Sequence, residues 1–321
     1  MGSRTQGQDP APHPWSHTRE TTLRACPRRY YYRYLLTRGG WSRSAPPRVR
    51  LAYVLSRLTT LDLALGNILH ALAARIAHRV LAGGPTPPAQ VLWQNARAQL
   101  NALVRNGGDL AAFADDPVHH PVLLEAYYGR ELPDGQVERV REKMERCTRH
   151  LAESTVWADL ARCAPGQVHA VDAPAAFEVG GTTVWAAPDL AYTPASGPPI
   201  ILDWKTGRVG VESAVEQLGL YAAYARTRLN LPLPTTGYDG QVADLGTGER
   251  WSVPLTAATV DAAEARVREG AMAMAGMPDD PTHPETEAAY PRTDHRDICR
   301  NCPFWAICEP ETGSLPASSA A

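Results

Sequence analysis

Lysine is nearly absent from this chain of 321 residues: only Lys143 and Lys205 occur, beside 30 arginines. An arginine bias of this strength would have replaced any lysine that merely carries a solvated charge. Lys143 lies in a charged helical pattern, where its replacement would cost little. Lys205 instead follows the apolar run 199–202, which is typical of a buried strand. Lys205 therefore marks a position that needs a compact ammonium group rather than a planar guanidinium.

The chain also lacks long apolar runs. No stretch approaches the roughly 18 uninterrupted apolar residues of a membrane-spanning helix, and residues 1–20 have no apolar core that would suit a signal peptide. Hydrophobic residues make up 44% and charged residues 21% of the chain, which is typical of a globular protein. We therefore expect a cytoplasmic protein that does not contact a membrane.

Acidic residues are scarce near the N-terminus. Residues 1–50 contain ten arginines and only Asp9 and Glu20, which is a local charge of +8 in a chain of net charge −2. A basic, tyrosine-rich end on an acidic body suits nucleic-acid binding. From charge alone, a solvated basic helix is an equally good explanation.

Periodicity and turn residues predict one folded domain at 19–311 between disordered tails at 1–18 and 312–321. A helical insertion at about 85–160 is expected to hold two or three helices. Helical spacing predicts further helices at 21–37, 60–81, 211–229 and 256–275. Alternation and turn signals predict strands at 168–179, 182–192 and 199–204 and a hairpin at 236–255. This order predicts a mixed α/β core.

Four of the six cysteines are spaced as ligands of one site. Cys299-x2-Cys302-x5-Cys308 lies near the C-terminus, and Cys26 lies near the N-terminus. In a cytosolic protein this spacing favours a metal site over disulfides. One close triplet with a distant fourth ligand suits an iron–sulfur cluster better than a zinc ribbon, which has two paired knuckles. Structural zinc or free thiols stay open as alternatives.

Polar residues beside apolar patterns form a second candidate site. Asp203 and Lys205 are two apart on a predicted strand and therefore project to one face, where they can bind a divalent metal and stabilise an anionic oxygen. Four further polar residues each end an apolar run or lie on a helix: His70, Asp189, Gln217 and Tyr221. Taken singly, each also fits an ordinary core or capping role. Pro188 predicts an edge or a bulge just before Asp189.

The ordered set of His, Pro-Asp, Asp-x-Lys and Gln-x3-Tyr, framed by the cysteines, resembles the RecB-like branch of the PD-(D/E)XK nucleases. It is most similar to the iron–sulfur subgroup that includes the nuclease domain of AddB and the exonucleases of CRISPR adaptation. Segment 23–34 resembles that subgroup's cysteine-bearing helix, and the resemblance spans about residues 20–310. It implies a restriction-endonuclease-like mixed sheet flanked by helices, with a cluster joining the two ends.

The resemblance also implies a role for each motif residue. Ligands of Mg²⁺ or Mn²⁺ would be His70, Asp189, Asp203 and the Trp204 carbonyl. Lys205 would orient or deprotonate the attacking water or offset charge on the transition state. Lys205 and the DNA backbone would in turn be positioned by Gln217 and Tyr221. Glu178 would be an outer carboxylate. A [4Fe-4S] cluster would be bound by Cys26, Cys299, Cys302 and Cys308.

The arginines and tyrosines of segment 23–34 are suited to binding phosphates and stacking on unpaired bases. The residues expected to contact DNA are Arg24, Arg28, Arg29, Tyr30, Arg33 and Tyr34. Alternatively, the tyrosines pack around the cluster and only the arginines face water. We expect some of each.

The predicted function is therefore a metal-dependent DNA nuclease. By resemblance it is an exonuclease on single-stranded or end-bearing DNA in repair, recombination or CRISPR adaptation. The alternative is an inactive nuclease-fold protein that binds or scaffolds DNA, which the complete set of Asp, Asp, Lys, Gln and Tyr argues against. No GxxxxGK[ST] loop is present, so unwinding would require a helicase partner, and an integrase partner also fits the resemblance.

Overall fold

A five-stranded mixed sheet forms the core of the structure, a computed structural model that describes residues 14–132, 134–207 and 210–309. The strands are β1 Val168–Val171, β2 Ala175–Val179, β3 Thr182–Ala186, β4 Leu190–Tyr192, β5 Ile200–Lys205, β6 Tyr238–Asp244 and β7 Arg250–Leu255. Their order in the main sheet is β1-β4-β5-β6-β7, and β2 pairs with β3 in a separate ribbon. Strands β5 and β6 run parallel, whereas β4–β5 and β6–β7 run antiparallel. The predicted mixed α/β class is confirmed.

Helices surround this sheet. In chain order they are α1 His17–Ala25, α2 Pro27–Tyr30, α3 Pro47–Leu55, α4 Leu61–Leu81, α5 Ala89–Asn106, α6 Leu110–Asp115, α7 Leu124–Tyr127, α8 Gln136–Ala152, α9 Val156–Ala161, α10 Val211–Thr227, α11 Ala257–Ala275, α12 Pro284–Ala288 and α13 Trp305–Cys308. A π-helical segment, Tyr31–Leu36, follows α2, and a 3₁₀ helix, Arg296–Asn301, precedes α13. In the described residues no helix is long and apolar enough to cross a membrane.

Strand β5 is buried on both faces, and its two faces join different clusters of the core. Ile201 packs in the cluster that contains α10 and α11. Leu202 and Trp204 pack in the cluster formed by α4, α5, α8 and α9. Because side chains alternate along a strand, Asp203 and Lys205 lie on the Ile201 side, toward α10.

The predicted strands 168–179 and 182–192 are wrong in one respect, since each divides into two strands that join different sheets. The first divides after β1 at Asp172, which has a left-handed backbone (φ 40°). The second divides between Ala186 and Leu190, around Pro188. Proline has no N–H to donate to a ladder, so the chain leaves the ribbon there and enters the main sheet just after Asp189.

The predicted helix 21–37 is interrupted at Cys26. This residue is extended (φ −162°, ψ 104°), and its thiol caps α2 by accepting a hydrogen bond from the Arg29 amide at 3.4 Å. The interruption follows from Pro27, because a proline ring disfavours the helical conformation of the preceding residue. The thiol is therefore held at a helix junction rather than on a helix face.

The predicted tail 1–18 is wrong for residues 14–18; residues 1–13 and 312–321 lie outside the described ranges. Trp15 is 2% exposed and continues the ribbon beside β3. Its amide donates to the Thr183 carbonyl at 2.8 Å, and its carbonyl accepts from the Trp185 amide at 2.9 Å. Ser16 then caps α1.

Replacing Trp15 with Ala is expected to lower the free energy of unfolding by about 3–5 kcal/mol, because it empties the space of a buried aromatic ring. Trp41→Ala is the matched control, since the Trp41 side chain is 68% exposed and its loss should change stability little. Thermal and urea denaturation of both variants measure the difference. Equal effects of the two substitutions would contradict the buried position of Trp15.

Candidate active site

Strand β5 presents Asp203 and Lys205 side by side at its C-terminal end. Asp203 is 2% exposed, and Lys205 Nζ lies 2.6 Å from Asp203 Oδ2. The strand is anchored beyond this point, because the Lys205 carbonyl accepts a hydrogen bond from the Leu245 amide after β6. A buried carboxylate and its ammonium partner are thus fixed by a central strand rather than a loop.

Helix α10 supplies a hydrogen-bonded chain to the lysine. Lys205 Nζ donates to Gln217 Oε1 at 2.6 Å, and Gln217 Nε2 donates to the Tyr221 hydroxyl at 2.6 Å. Gln217 and Tyr221 lie one turn apart on the helix face toward β5. An ammonium group has three donors. With Asp203 and Gln217 engaging it, Lys205 can direct its remaining donor at a water molecule or a phosphate oxygen.

Asp189 connects the site to helix α4. Its Oδ1 lies 3.0 Å from His70 Nδ1, and its Oδ2 accepts a hydrogen bond from the Trp204 amide at 2.7 Å. The helix comes close to the end of β5, because a Cβ added at Gly66 would lie 3.4 Å from Thr206 Oγ1. Gly66 and His70 are one turn apart and share this helix face. The Trp204 backbone therefore lies at the site.

The Trp204 side chain points the other way. Its indole stacks on Trp157, with ring centroids 5.4 Å apart, in the cluster on the opposite face of the sheet. This stacking holds β5 from behind, so that only the backbone of Trp204 is available to a ligand. The use of its carbonyl as a metal ligand stays a prediction.

Burial makes the negative charge of this site costly. It raises the pKa of Asp203 to about 6, and the neighbouring Asp189 charge adds to the increase while Lys205 opposes it. For His70, burial lowers the pKa, but the hydrogen bond and the charge of Asp189 outweigh burial and raise it overall. A cation placed between the carboxylates would offset this cost.

The donor set fits a hard divalent cation. Carboxylate oxygens and a backbone carbonyl are ligands that Mg²⁺ and Mn²⁺ accept, and an imidazole suits Mn²⁺ as well. Within the described ranges, however, no three His, Cys, Asp or Glu side chains are arranged as a metal-binding group. His70 and Asp189 instead contact each other, and Asp203 contacts Lys205.

Two residues near this site were missed from the sequence. Asp172 follows β1, its amide donates to the Asp189 carbonyl at 3.0 Å, and burial and the Asp189 charge raise its pKa. Its position after a strand is the same signal that identified Asp203. His17 lies at the start of α1. Burial is the main cause of its lowered pKa, and the nearby charge of Lys205 lowers the pKa further. No local sequence signal identifies His17.

The proposed outer carboxylate Glu178 is exposed on the ribbon, where it accepts a hydrogen bond from the Thr183 hydroxyl.

The four predicted cluster cysteines come from both ends of the chain into one region. Cys26 is buried, and its charge contributes to raising the pKa of Cys299, Cys302 and Cys308, for each of which burial is the main cause. For Cys302 burial raises the pKa to about 11. All four thiols are free. Nearby guanidinium groups oppose this effect of burial, those of Arg296, Arg29 and Arg292 for Cys299, Cys302 and Cys308 respectively. In the part of the chain that the structure describes, the cysteines are not arranged as a metal-binding group.

The tyrosines of segment 23–34 are mainly structural. Tyr30 is 1% exposed and stacks on Tyr290, so the expectation that it contacts DNA is wrong. Arg28 is held by Glu287 at 3.0 Å and by the Tyr290 carbonyl at 2.7 Å. The Arg24 side chain is 65% exposed and pairs with Glu20. Half-buried members of the predicted set are Arg29, Arg33 and Tyr34.

The stability of the metal-free protein is expected to depend on pH through Asp203. Folding raises this pKa from its ordinary value of 3.8 to about 6, so the contribution of Asp203 to stability is fully present below about pH 4 and is lost as the pH rises through 6. The melting temperature of Asp203→Asn relative to that of the wild type should therefore increase from about pH 4 to about pH 6 and change little above about pH 7. Melting curves in EDTA test this, and a difference that is constant with pH would contradict it.

The geometry agrees with the family comparison. A family model for the PD-(D/E)XK nuclease superfamily matches residues 14–309. A comparison with curated proteins gives no significant match. The match covers the sheet, α4, α10 and the C-terminal cysteines together. The chain belongs to the PD-(D/E)XK nuclease superfamily.

Proposed function

We propose that this protein is a Mg²⁺- or Mn²⁺-dependent deoxyribonuclease that acts as an exonuclease on single-stranded or end-bearing DNA. The observation that carries the proposal is the buried contact between Asp203 and Lys205, which α10 completes through Gln217. A buried ion pair costs desolvation free energy and is weak support for stability. Its position at the end of a central strand, beside a second carboxylate, suits chemistry better than folding.

Each residue has a task in phosphodiester hydrolysis. His70, Asp189, Asp203 and the Trp204 carbonyl would hold a divalent cation, which would supply positive charge for the phosphate oxygens and make a water molecule more acidic. Lys205 directs a donor at the attacking water or a phosphate oxygen. Gln217 fixes the direction of the lysine, and Tyr221 fixes the amide of Gln217. This preorganisation stabilises charge that develops in the transition state.

The rival function is DNA binding or scaffolding without turnover. Both carboxylates, the lysine and its two supports converge in the structure, and each makes a polar contact with another member of the set or with the β5 backbone. A protein that only scaffolds DNA gains nothing from burying Asp203 at this cost. Roles in repair, recombination or CRISPR adaptation, with a helicase or integrase partner, fit the resemblance to the RecB-like branch.

We also propose that Cys26, Cys299, Cys302 and Cys308 bind a [4Fe-4S] cluster, with structural zinc as the alternative. Support comes from Cys26, whose charge raises the pKa of Cys299, Cys302 and Cys308 although Cys26 lies near the other end of the sequence. The other two cysteines differ in position: Cys147 is fully buried in the helical insertion, and Cys163 packs at its edge.

Substituting Asp203 or Lys205 with Ala is expected to abolish metal-dependent degradation of labelled DNA, a loss of at least about a thousandfold because charge stabilisation at the site disappears. Lys205→Arg should also fail, since the guanidinium does not fit the space of the ammonium. Lys143→Ala is the matched control: the only other lysine pairs with Asp62 at the surface, and its loss should leave cleavage unchanged.

Cleavage that survives in both Asp203→Ala and Lys205→Ala would overturn the assignment. Wild-type protein that binds DNA but cuts no substrate with any divalent metal would favour the scaffold. Assays across single-stranded, blunt duplex and flapped DNA, labelled at either end, distinguish exonuclease from endonuclease products. Stepwise shortening from one end is the expected result.

Anaerobically purified wild-type protein is expected to be brown and to contain iron, and Cys26→Ser should lose both the colour and the iron. Cys163→Ser is the control, because the Cys163 thiol donates to the carbonyls of Asp159 and Thr193 and lies outside the cysteine group. Metal analysis and visible absorption measure the outcome. A colourless wild-type protein that contains zinc would contradict the iron–sulfur cluster and support the structural zinc site.

A further inference from the structure

A cavity of about 280 Å³ lies between the π-helical segment and α3. Three arginines and three aromatic residues line it: Arg33, Arg38, Arg57, Tyr34, Trp41 and Tyr53. Two hydroxyl residues complete the lining, and no acidic residue lines it within the described ranges. We call this cavity the arginine pocket. It lies apart from the residues of the candidate active site.

The arginine pocket holds positive charge without anions of its own. The side chains of Arg33 and Arg57 form no hydrogen bond or ion pair with any described residue; each guanidinium group instead lies over a tyrosine ring. Arg38 differs, because its guanidinium group donates to the Asp279 carbonyl at 3.1 Å and so has a structural role at the edge of the pocket. Two guanidinium groups with open donors beside one cavity suit a phosphate, which they can bind through paired N–H groups.

Two of the three aromatic rings that line the pocket are covered by arginine side chains, and the third is open. The Tyr34 ring is covered by Arg19 at 4.6 Å, and the Tyr53 ring is covered by Arg57 at 4.9 Å. Trp41 has no ring contact within the described residues, and its side chain is 68% exposed. An open indole face beside unpaired guanidinium groups is the combination that binds an unpaired base together with its phosphate.

The chain connects this pocket to the candidate active site. Helix α3 ends at Leu55, and α4 begins at Leu61, so Arg57 lies in the short link between them. His70 follows nine residues into α4, which at about 1.5 Å per residue is ~14 Å along the helix. The pocket lining and the candidate active site are therefore joined through α4.

We propose that the arginine pocket binds one nucleotide of a single-stranded DNA substrate, with Arg33 and Arg57 on its phosphate and Trp41 stacked on its base. The proposal rests on the proposed nuclease function and adds the place where the strand is held away from the cut. A single strand is favoured over a duplex because paired bases do not offer a free face to an indole.

Binding is measured in the Asp203→Ala protein without divalent metal, using a fluorescent oligothymidylate of about 12 nucleotides and a blunt duplex of the same length. Trp41→Ala and Arg57→Glu should each weaken single-strand binding about tenfold, as expected for the loss of one stacked base or one phosphate contact. Arg57→Glu should also reduce the slope of log affinity against log salt, whereas Trp41→Ala should leave that slope unchanged.

Arg97→Glu is the matched control. It makes the same charge change, and Arg97 also lies over an aromatic ring, that of Trp93 at 5.2 Å, but on α5 in the helical insertion. This variant should bind the oligothymidylate as well as its parent does. Equal losses from Arg97→Glu and Arg57→Glu would mean that overall charge, not the pocket, sets affinity, and would overturn the proposal.

Unchanged single-strand binding in Trp41→Ala would also overturn the proposal, as would an equal loss of duplex binding. These outcomes are separate from the proposed function, because binding is measured without cleavage. If the wild type cuts DNA and both Trp41→Ala and Arg57→Glu bind normally, the proposed function stands and the proposed role of the pocket is wrong. If the wild type never cuts DNA but both variants lose binding, the proposed role of the pocket stands and the proposed function is wrong.

Discussion

The contact between Lys205 and Asp203 is the interaction on which the rest of the candidate site depends. Both charges leave water to meet at 2.6 Å, and the pKa of Asp203 rises to about 6 because burial opposes its ionisation. Such a pair is tolerated only where neighbouring groups satisfy its remaining donors and acceptors. Gln217 accepts a second hydrogen bond from the lysine, and Tyr221 holds the amide of Gln217 in place. A divalent cation would satisfy the remaining acceptors of the carboxylate.

The fold fixes this pair by burying β5 on both faces. Behind the strand, Trp204 stacks on Trp157, and in front of it Ile201 packs with the cluster of α10 and α11. The separate ribbon of β2 and β3 returns the chain to the main sheet at Pro188, which delivers Asp189 to the Trp204 amide. The end of β5, the short connection before β4, and helices α4 and α10 together set the distances between the catalytic candidates.

Much of the candidate site could be predicted because its signals are local. The scarcity of lysine identified Lys205, the alternation of a strand paired it with Asp203, and the spacing of one helical turn joined Gln217 to Tyr221. The division of the predicted strands and the burial of Trp15, Tyr30 and His17 could not be predicted in this way. They depend on which distant segment covers each residue, such as Val184 beside Trp15 and Tyr290 on Tyr30.

The most direct test of the account is the position of Mn²⁺ in crystals of the wild-type protein, located by anomalous scattering. We expect an anomalous peak in contact with the carboxylates of Asp189 and Asp203, and we expect this peak to disappear in Asp203→Ala. Mn²⁺ bound elsewhere, in a protein that still cleaves DNA, would contradict the assignment of this site.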